Sequence, residues 1–384
     1  MGARQTGKST LVRSEPFLSQ HRYLTLDNLD VADRAARNPD ELLRSAPLLV
    51  IDEIQREPTL IHAIKRAVDE DRARTPGRFV LTGSANLLLM QRVSETLAGR
   101  ATYLTLWPMT RREKLGLGRA GLWSELLGAS ASEWTSLVMA ARTAAVDWKS
   151  EAFVSGYPTP ALALQTPEQR TIWFDGYVKT YLERDLQELA AIDNLLDFRR
   201  LMKAAALRIG GLLNQAELGR DTAIPRPTVH RYLNLLETSF QAVRLQPYSV
   251  NRTKRLIKSP RLFWSDTALA MHLGGDEEAR GSHLENLVLT DLLAWRDSQI
   301  PSPEVLYWRT TTDLEVDFVV EQKNRLLAIE VKATTRPVRA DARSLIAFRD
   351  EYGSQVHGGL LLHGGEETEW LADGVLAVPW HQVV

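Results

Sequence analysis

Near its start the chain reads Gly2-Ala3-Arg4-Gln5-Thr6-Gly7-Lys8-Ser9, which fits the spacing G-x-x-x-x-G-K-[ST]. Glycines in such a run let the backbone turn tightly around an anion with N–H groups facing inward. The lysine then reaches the β and γ phosphates of a nucleotide, and the serine hydroxyl holds Mg²⁺. A helix starting near Gly7 would add the positive end of its dipole. Farther on, the apolar run Leu48–Ile51 ends in Asp52-Glu53. A strand ending in acids sets a carboxylate at the sheet edge where phosphates bind. In isolation the pair would read as two solvated acids. Behind a phosphate loop, Asp52 is expected to hold Mg²⁺ and Glu53 to orient or deprotonate the attacking water.

Two further positions extend this set. The run Phe79–Leu81 ends in Thr82-Gly83-Ser84-Ala85-Asn86. Ser84 is expected to touch the γ-phosphate or the water, with Asn86 the second choice and a plain Gly-Ser turn the bland alternative. Arg100, in Leu97-Ala98-Gly99-Arg100, is either a surface arginine or a group that neutralises transition-state charge in a neighbouring subunit. The second role requires a homo-oligomer. A phosphate loop normally follows a central strand, yet only Met1 precedes Gly2. The expectation is a truncated start; a natural one would weaken nucleotide binding through loss of a pairing partner.

A second group of chemistry-bearing residues lies toward the other end. Glu315-Val316-Asp317-Phe318 alternates acid and apolar, Gln322-Lys323-Asn324-Arg325 reads as a turn, and Leu326–Lys332 alternates back. Folded about that turn, Asp317 lies opposite or nearly opposite Glu330, and Lys332 shares the face of Glu330. Glu285, in a helix expected over 283–295, could add a third carboxylate. Such a group can hold a divalent metal through Asp317 and Glu330 and position a water for phosphodiester cleavage. The bland alternative is an exposed hairpin face with paired charges.

These residues need a scaffold. Short apolar runs at 23–26, 48–51, 79–81 and 102–106 alternate with amphipathic stretches at 33–45 and 59–72, which argues a parallel α/β sheet. Residues 109–207 read as mostly helical. Leu212–Leu218 and Thr228–Glu237, joined through Ile224-Pro225-Arg226-Pro227, read as a helix–turn–helix, and a strand at 240–245 gives it a winged shape. Exposed Arg226, His230 and Arg231, with the basic stretch Arg252, Lys254, Arg255, Lys258 and Arg261, could meet DNA phosphates; a packing module with ordinary solvated cations is the equal alternative. The expected divisions are 1–108, 109–205, 206–262 and 263–384.

Composition narrows the rest. The chain has 384 residues, no cysteine, and 47 basic against 48 acidic residues. Disulfides, thiolate metal sites and a cysteine nucleophile are excluded, and a reducing, cytoplasmic location is expected. Any nucleic acid must be held by a local patch rather than by the overall field. No apolar run approaches the roughly 20 residues of a membrane span.

With these motifs in place, the chain resembles a family of bacterial and archaeal AAA+ ATPases that carry a C-terminal domain of unknown function. The resemblance rests on Gly2–Thr10, Ile51-Asp52-Glu53-Ile54-Gln55, Leu81-Thr82-Gly83-Ser84, Leu97-Ala98-Gly99-Arg100, Ser155-Gly156-Tyr157-Pro158, Tyr181-Leu182-Glu183-Arg184-Asp185-Leu186 and Ser265-Asp266-Thr267. The segments around Glu285, Asp317 and Ile329-Glu330-Val331-Lys332 are similar to the restriction-endonuclease-like PD-(D/E)xK superfamily. The resemblance implies ATP and Mg²⁺ as cofactors, with Thr10 joining the residues at the nucleotide. It implies an α/β fold: a P-loop parallel sheet, a helical region with a winged helix, and a C-terminal α/β nuclease-like domain. Three activities stay open. The chain could hydrolyse ATP and drive a nucleic-acid-engaging, cutting domain; act as a nucleotide-gated DNA- or protein-binding switch with an inactive nuclease fold; or remodel proteins.

Overall fold

The computed structural model describes residues 1–71, 75–83, 96–141, 143–185, 192 and 194–384, with the backbone alone at 183–185, 254, 256 and 257. Three short runs of branched and aromatic residues form a parallel sheet: β1 (Arg22–Thr25), β2 (Leu49–Asp52) and β3 (Phe79–Leu81), in the order β1-β2-β3. β2 is central and buried along its whole length, as its unbroken Leu-Val-Ile run requires. Register places Thr25 beside Asp52 and Ile51 beside Leu81. The ends of β2 and β3 therefore open on one side of the sheet, with the loop before α1 (Lys8–Ser14) nearby.

Helices pack on this sheet through apolar residues at helical spacing. α4 (Leu60–Glu70) buries Leu60, Ile61, Ala63 and Ile64. The stretch expected as one helix over 33–45 is two, α2 (Leu29–Arg37) and α3 (Pro39–Arg44), because Asn38 precedes a proline and is forced out of the helical region. The expected strand at 102–106 is irregular. A strand needs a ladder partner, and here Leu106 donates to the Met1 carbonyl (2.7 Å) in place of one.

The middle of the chain is helical and continuous with the large core. Residues Thr159–Ala163 and Val178–Asp185 are wound as π-helix. The helices Gln215–Thr222 and Arg226–Thr238 follow, then β4 (Ala242–Leu245), which pairs antiparallel with β5 (Arg261–Trp264). The first of these helices begins later than expected, since the Asn214 side chain accepts from the N–H groups of Ala216 and Glu217 and caps it there. The second begins earlier, because Pro227 lies in its first turn, where no N–H is needed.

The last region is a six-stranded sheet in the order β10-β11-β9-β8-β7-β6, built from β6 (Glu304–Arg309), β7 (Glu315–Gln322), β8 (Arg325–Lys332), β9 (Val356–His363), β10 (Glu369–Ala372) and β11 (Val375–Pro379). The turn between β7 and β8 places Lys323 and Asn324 at positive φ, as a two-residue hairpin loop demands. The helix Gly281–Asp297 packs on one face with Phe318, Val320 and Ile329. The helix Arg343–Tyr352 packs on the other with Val319, Ala328 and Leu361. Between β6 and β7 the register slips: Leu306 pairs Val319 while Trp308 pairs Val316. Asp317 and Phe318 thus oppose Tyr307 together, a β-bulge that re-aims the Asp317 side chain.

Candidate functional site

The loop preceding α1 is shaped by three residues at positive φ: Gly2, Gln5 and Gly7. A side chain at Gly2 would collide with the Leu106 carbonyl oxygen, so only glycine fits there. Ala3 and Thr6 are buried beneath the loop, and the Thr6 hydroxyl donates to the Ala3 carbonyl at 3.0 Å. Arg4, Gln5 and Thr10 face outward. Lys8 bends back: its Nζ donates to the carbonyls of Ala3 (2.5 Å) and Gly2 (3.2 Å). Burial lowers the Lys8 ammonium to about 8, against the pull of Glu53 and Asp52, which raise it, while Arg4 lowers it further.

Asp52 ends β2 almost fully enclosed. Burial pushes its carboxyl up, but hydrogen bonds from Thr82, Tyr23 and Ser9 outweigh that, and the net shift is downward. Tyr23 donates to Oδ2 at 2.5 Å and Thr82 donates to Oδ1. Arg13 from α1 in turn donates to the Tyr23 oxygen at 2.8 Å and stacks over its ring, 4.3 Å from the centroid. Glu53 stands at positive φ and accepts from the Gln55 side chain. Lys8, Ser9, Asp52 and Glu53 therefore share one site. Their donors suit a Mg²⁺–nucleotide, because the Ser9 hydroxyl lies close enough to draw down the carboxyl of Asp52, the acid that would share the ion with it.

Tyr23 and Thr82 escaped the sequence reading. Thr82 is the first polar residue after β3, two positions before the expected Ser84. Tyr23 pairs with Val50 and so shares a sheet face with Asp52, two residues on, a relation that only the strand register supplies. Ser84 and Asn86 lie outside the described residues. Arg100 forms a two-point pair with Asp69 of α4, Nε to Oδ1 at 2.6 Å and Nη2 to Oδ2 at 3.1 Å.

The loop is backed by a buried polar chain. The Tyr177 hydroxyl donates to the Arg4 carbonyl (3.3 Å) and lies 3.2 Å from the Tyr157 hydroxyl. Gln241, at the start of β4, donates from Nε2 to Tyr177 at 3.2 Å. Beside it, Asp266 accepts from the Ser155 hydroxyl (2.9 Å) and the Gly156 N–H (2.7 Å). The phosphate loop is thus connected by hydrogen bonds to the two-helix unit and β5.

In the last region Asp317, Glu330, Glu285 and Lys332 come together, joined by Glu315 and by Arg261 of β5. Arg261 donates from Nη1 to Asp317 Oδ1 at 3.0 Å and pairs with Glu315 at 3.0 Å. Its Nη2 donates to Glu285. The Lys332 ammonium donates to Glu330 Oε1 at 2.6 Å. Glu285 rises to about 8 through burial and the nearby Asp317 charge, against the pull of Arg261. Burial and Asp317 also raise Glu330 well above its usual range. Among the described residues no group of three or more His, Cys, Asp or Glu is arranged to hold a metal ion. The guanidinium takes the centre of the acids.

The expected basic stretch is also redistributed. Arg252 and Lys258 are exposed, but Arg255 is buried between Glu304 (2.6 Å) and Glu321 (2.7 Å), and Arg261 is buried as above. Both compensate acids of the sheet, so neither is a surface cation. Arg226, His230 and Arg231 are exposed on their helix.

Comparison with known proteins adds three family matches: an AAA domain over residues 1–115, Domain of unknown function (DUF8612) over 146–280, and Domain of unknown function (DUF4143) over 280–383. Uncharacterized proteins of Mycobacterium tuberculosis and Mycobacterium bovis are each 30% identical, covering 100% of this chain and 80% of their own length. An uncharacterized protein of Haemophilus influenzae is 22% identical over 79% of this chain and 70% of its own. No solved structure matches. No described helix is long and apolar enough to cross a membrane.

Proposed function

The chain belongs to the family of AAA-type P-loop ATPases that carry a C-terminal domain of unknown function, and we propose that it binds ATP with Mg²⁺, hydrolyses it, and couples nucleotide state to a C-terminal domain that engages nucleic acid. The supporting observation is that α1, with Lys8 and Ser9 in its first turn after the Gly2–Gly7 loop, is tied through Arg13 and Tyr23 to the buried Asp52 that ends β2. Backbone N–H groups of Gly2–Thr10 cradle phosphate oxygens, and Lys8 leaves its resting carbonyls to pair with them. Ser9 and Asp52 present the oxygens that would hold the metal, which supplies charge neutralisation between phosphates. Glu53 orients or deprotonates the water, and Ser84 is proposed to steady it. Arg100 acts in a neighbouring subunit only after leaving Asp69. The hydrogen-bonded chain from Arg4 through Tyr177 to Gln241 carries loop movement to the two-helix unit, which the reading treats as a winged helix presenting Arg226, His230 and Arg231 to DNA phosphates.

Nucleotide binding and hydrolysis, with and without DNA, test this on the wild type, Lys8→Ala and Glu53→Gln. Glu53→Gln should bind ATP and turn it over roughly 10²-fold or more slowly, as loss of a general base does. Equal binding by Lys8→Ala and wild type would sink the reading.

A second reading keeps the ATP switch but gives the nuclease-like region no cleavage. Arg261 favours it, since that side chain sits among the acids a catalytic metal would need. Metal-dependent nicking lost in Asp317→Ala or Glu330→Ala would restore the cutting version. Capture of protein partners by Glu53→Gln in a salt-insensitive way would favour a protein remodeller instead.

A further inference from the structure

Arg261 is 6% exposed, yet each nitrogen of its guanidinium has an acceptor. Nε donates to the Gly210 carbonyl at 2.6 Å, Nη1 lies 3.0 Å from both Asp317 Oδ1 and Glu315 Oε1, and Nη2 meets Glu285 Oε2. Asp317 uses its second oxygen on the Val331 N–H at 2.8 Å. Each of these three acids therefore has an oxygen on one planar cation. Glu330 is different: Oε1 takes Lys332, while its buried Oε2 has no hydrogen-bond partner among the described residues. That orphan oxygen belongs to the same pocket, because Glu330 directly precedes Val331 on β8, whose N–H donates to Asp317 Oδ2 at 2.8 Å.

We propose that Arg261 is the resident cation of this four-carboxylate pocket and excludes a divalent metal from it, so that the pocket serves as the socket in which β5 is seated. The inference rests on the non-cleaving reading of the C-terminal region. A guanidinium offers a rigid fork of N–H donors that matches carboxylates and needs little hydration, whereas Mg²⁺ sheds water reluctantly. Arg261 is also delivered by its own strand. Tethered groups compete at an effective concentration of about millimolar or higher, so free Mg²⁺ at similar levels has no advantage. The consequence is mechanical. β5 pairs with β4, directly after the two-helix unit, and Arg261 Nε holds Gly210 just before it. Seating Arg261 fixes that unit against the sheet, and the charges that would bind a metal hold a joint instead.

The experiment uses the full chain with Mn²⁺ as probe, read by calorimetric titration and by the metal-induced rise in unfolding temperature. Arg261→Gln keeps a polar side chain, two atoms shorter, and removes its charge. It should gain a Mn²⁺ site at least about tenfold tighter than any in the wild type, with a matching thermal shift, and the gain should vanish in Arg261→Gln/Asp317→Asn. If Arg261→Gln does not fold, Arg261→Lys carries the test, since one ammonium cannot make all three carboxylate contacts and must yield to Mn²⁺. No gain in the folded variant, with no nicking of plasmid by the wild type, overturns the socket and leaves the non-cleaving reading standing. An Asp317-dependent Mn²⁺ site in the wild type, accompanied by nicking, overturns both.

Discussion

Asp52 in the N-terminal sheet and Asp317 in the C-terminal sheet are both buried at strand positions, and both have donors on each carboxylate oxygen. Around Asp52 the donors are the neutral hydroxyls of Tyr23 and Thr82, and the Ser9 hydroxyl and the Glu53 N–H, also neutral, help to draw its carboxyl down. Around Asp317 they are a guanidinium and a backbone N–H. The nearby lysines divide in the same way. Lys8 rests on the uncharged carbonyls of Gly2 and Ala3, while Lys332 is paired with Glu330. Neutral donors orient a carboxylate and leave its charge for an incoming cation. A built-in cation uses that charge up. One site is prepared for a ligand; the other is already closed on itself.

The two lysines give the largest expected contrast. Lys8→Ala should lower ATP affinity by roughly a hundredfold, the scale of a lost charge-assisted contact of about 3 kcal/mol. Lys332→Ala should leave ATP affinity within about twofold, because its partner is an acid of the other sheet. Equilibrium titration with a fluorescent nucleotide measures both. Comparable losses in the two variants would erase the distinction.

Next in size is the response to pH. Glu285, raised to about 8, and Glu330, raised well above its ordinary value, hold their protons more tightly folded than unfolded. The stability they contribute is full below the ordinary value of 4.5; the share of Glu285 is lost as pH rises through about 8, and that of Glu330 as pH rises through its own raised value. Asp52, with its carboxyl depressed, works the other way: its contribution is present above 3.8 and is lost as pH falls through its lowered value. All ten tryptophans lie at Trp107 or later, so tryptophan fluorescence reports the middle and C-terminal regions. The fluorescence-detected unfolding temperature should drop between pH 6 and pH 9, and drop less in Glu285→Gln. An identical slope in the variant would remove Glu285 as the cause.

How far the sequence reveals this contrast depends on what each site is made from. The phosphate loop and the β2 acids are contiguous motifs whose residue types encode their geometry, so Gly2–Ser9 and Asp52-Glu53 are legible directly. The alternation in Glu315–Lys332 likewise points to a hairpin with its acids near one another. Three features are not legible in the same way. Tyr23 reaches Asp52 only through the register of β1 on β2. Arg261 reads as one of five basic residues, and nothing local says that its strand turns it inward while Arg252 stays outside. The bulge at Asp317 and Phe318 is a property of pairing with β6, invisible from β7 alone. Burial of a charge is decided by partners distant in the chain, and single-sequence patterns record neighbours.

The smallest effect is expected at Tyr23, and it tests whether neutral donors are what keep Asp52 ready. Tyr23→Phe preserves the ring that stacks beneath Arg13 and removes only the hydroxyl on Oδ2. Thr82 continues to hold the carboxylate, so the loss is only part of the roughly 1.5–3 kcal/mol that a hydrogen bond to a charged group contributes. Binding of ATP without Mg²⁺ should be unchanged, because Lys8 and the loop N–H groups are untouched. The Mg²⁺ concentration needed for half-maximal hydrolysis should rise about five- to tenfold, since a less firmly aimed Asp52 is a poorer partner for the ion. A rise in the nucleotide requirement with no change in the Mg²⁺ requirement would mean that Tyr23 supports α1 through Arg13, and that two hydroxyls suffice to aim the acid.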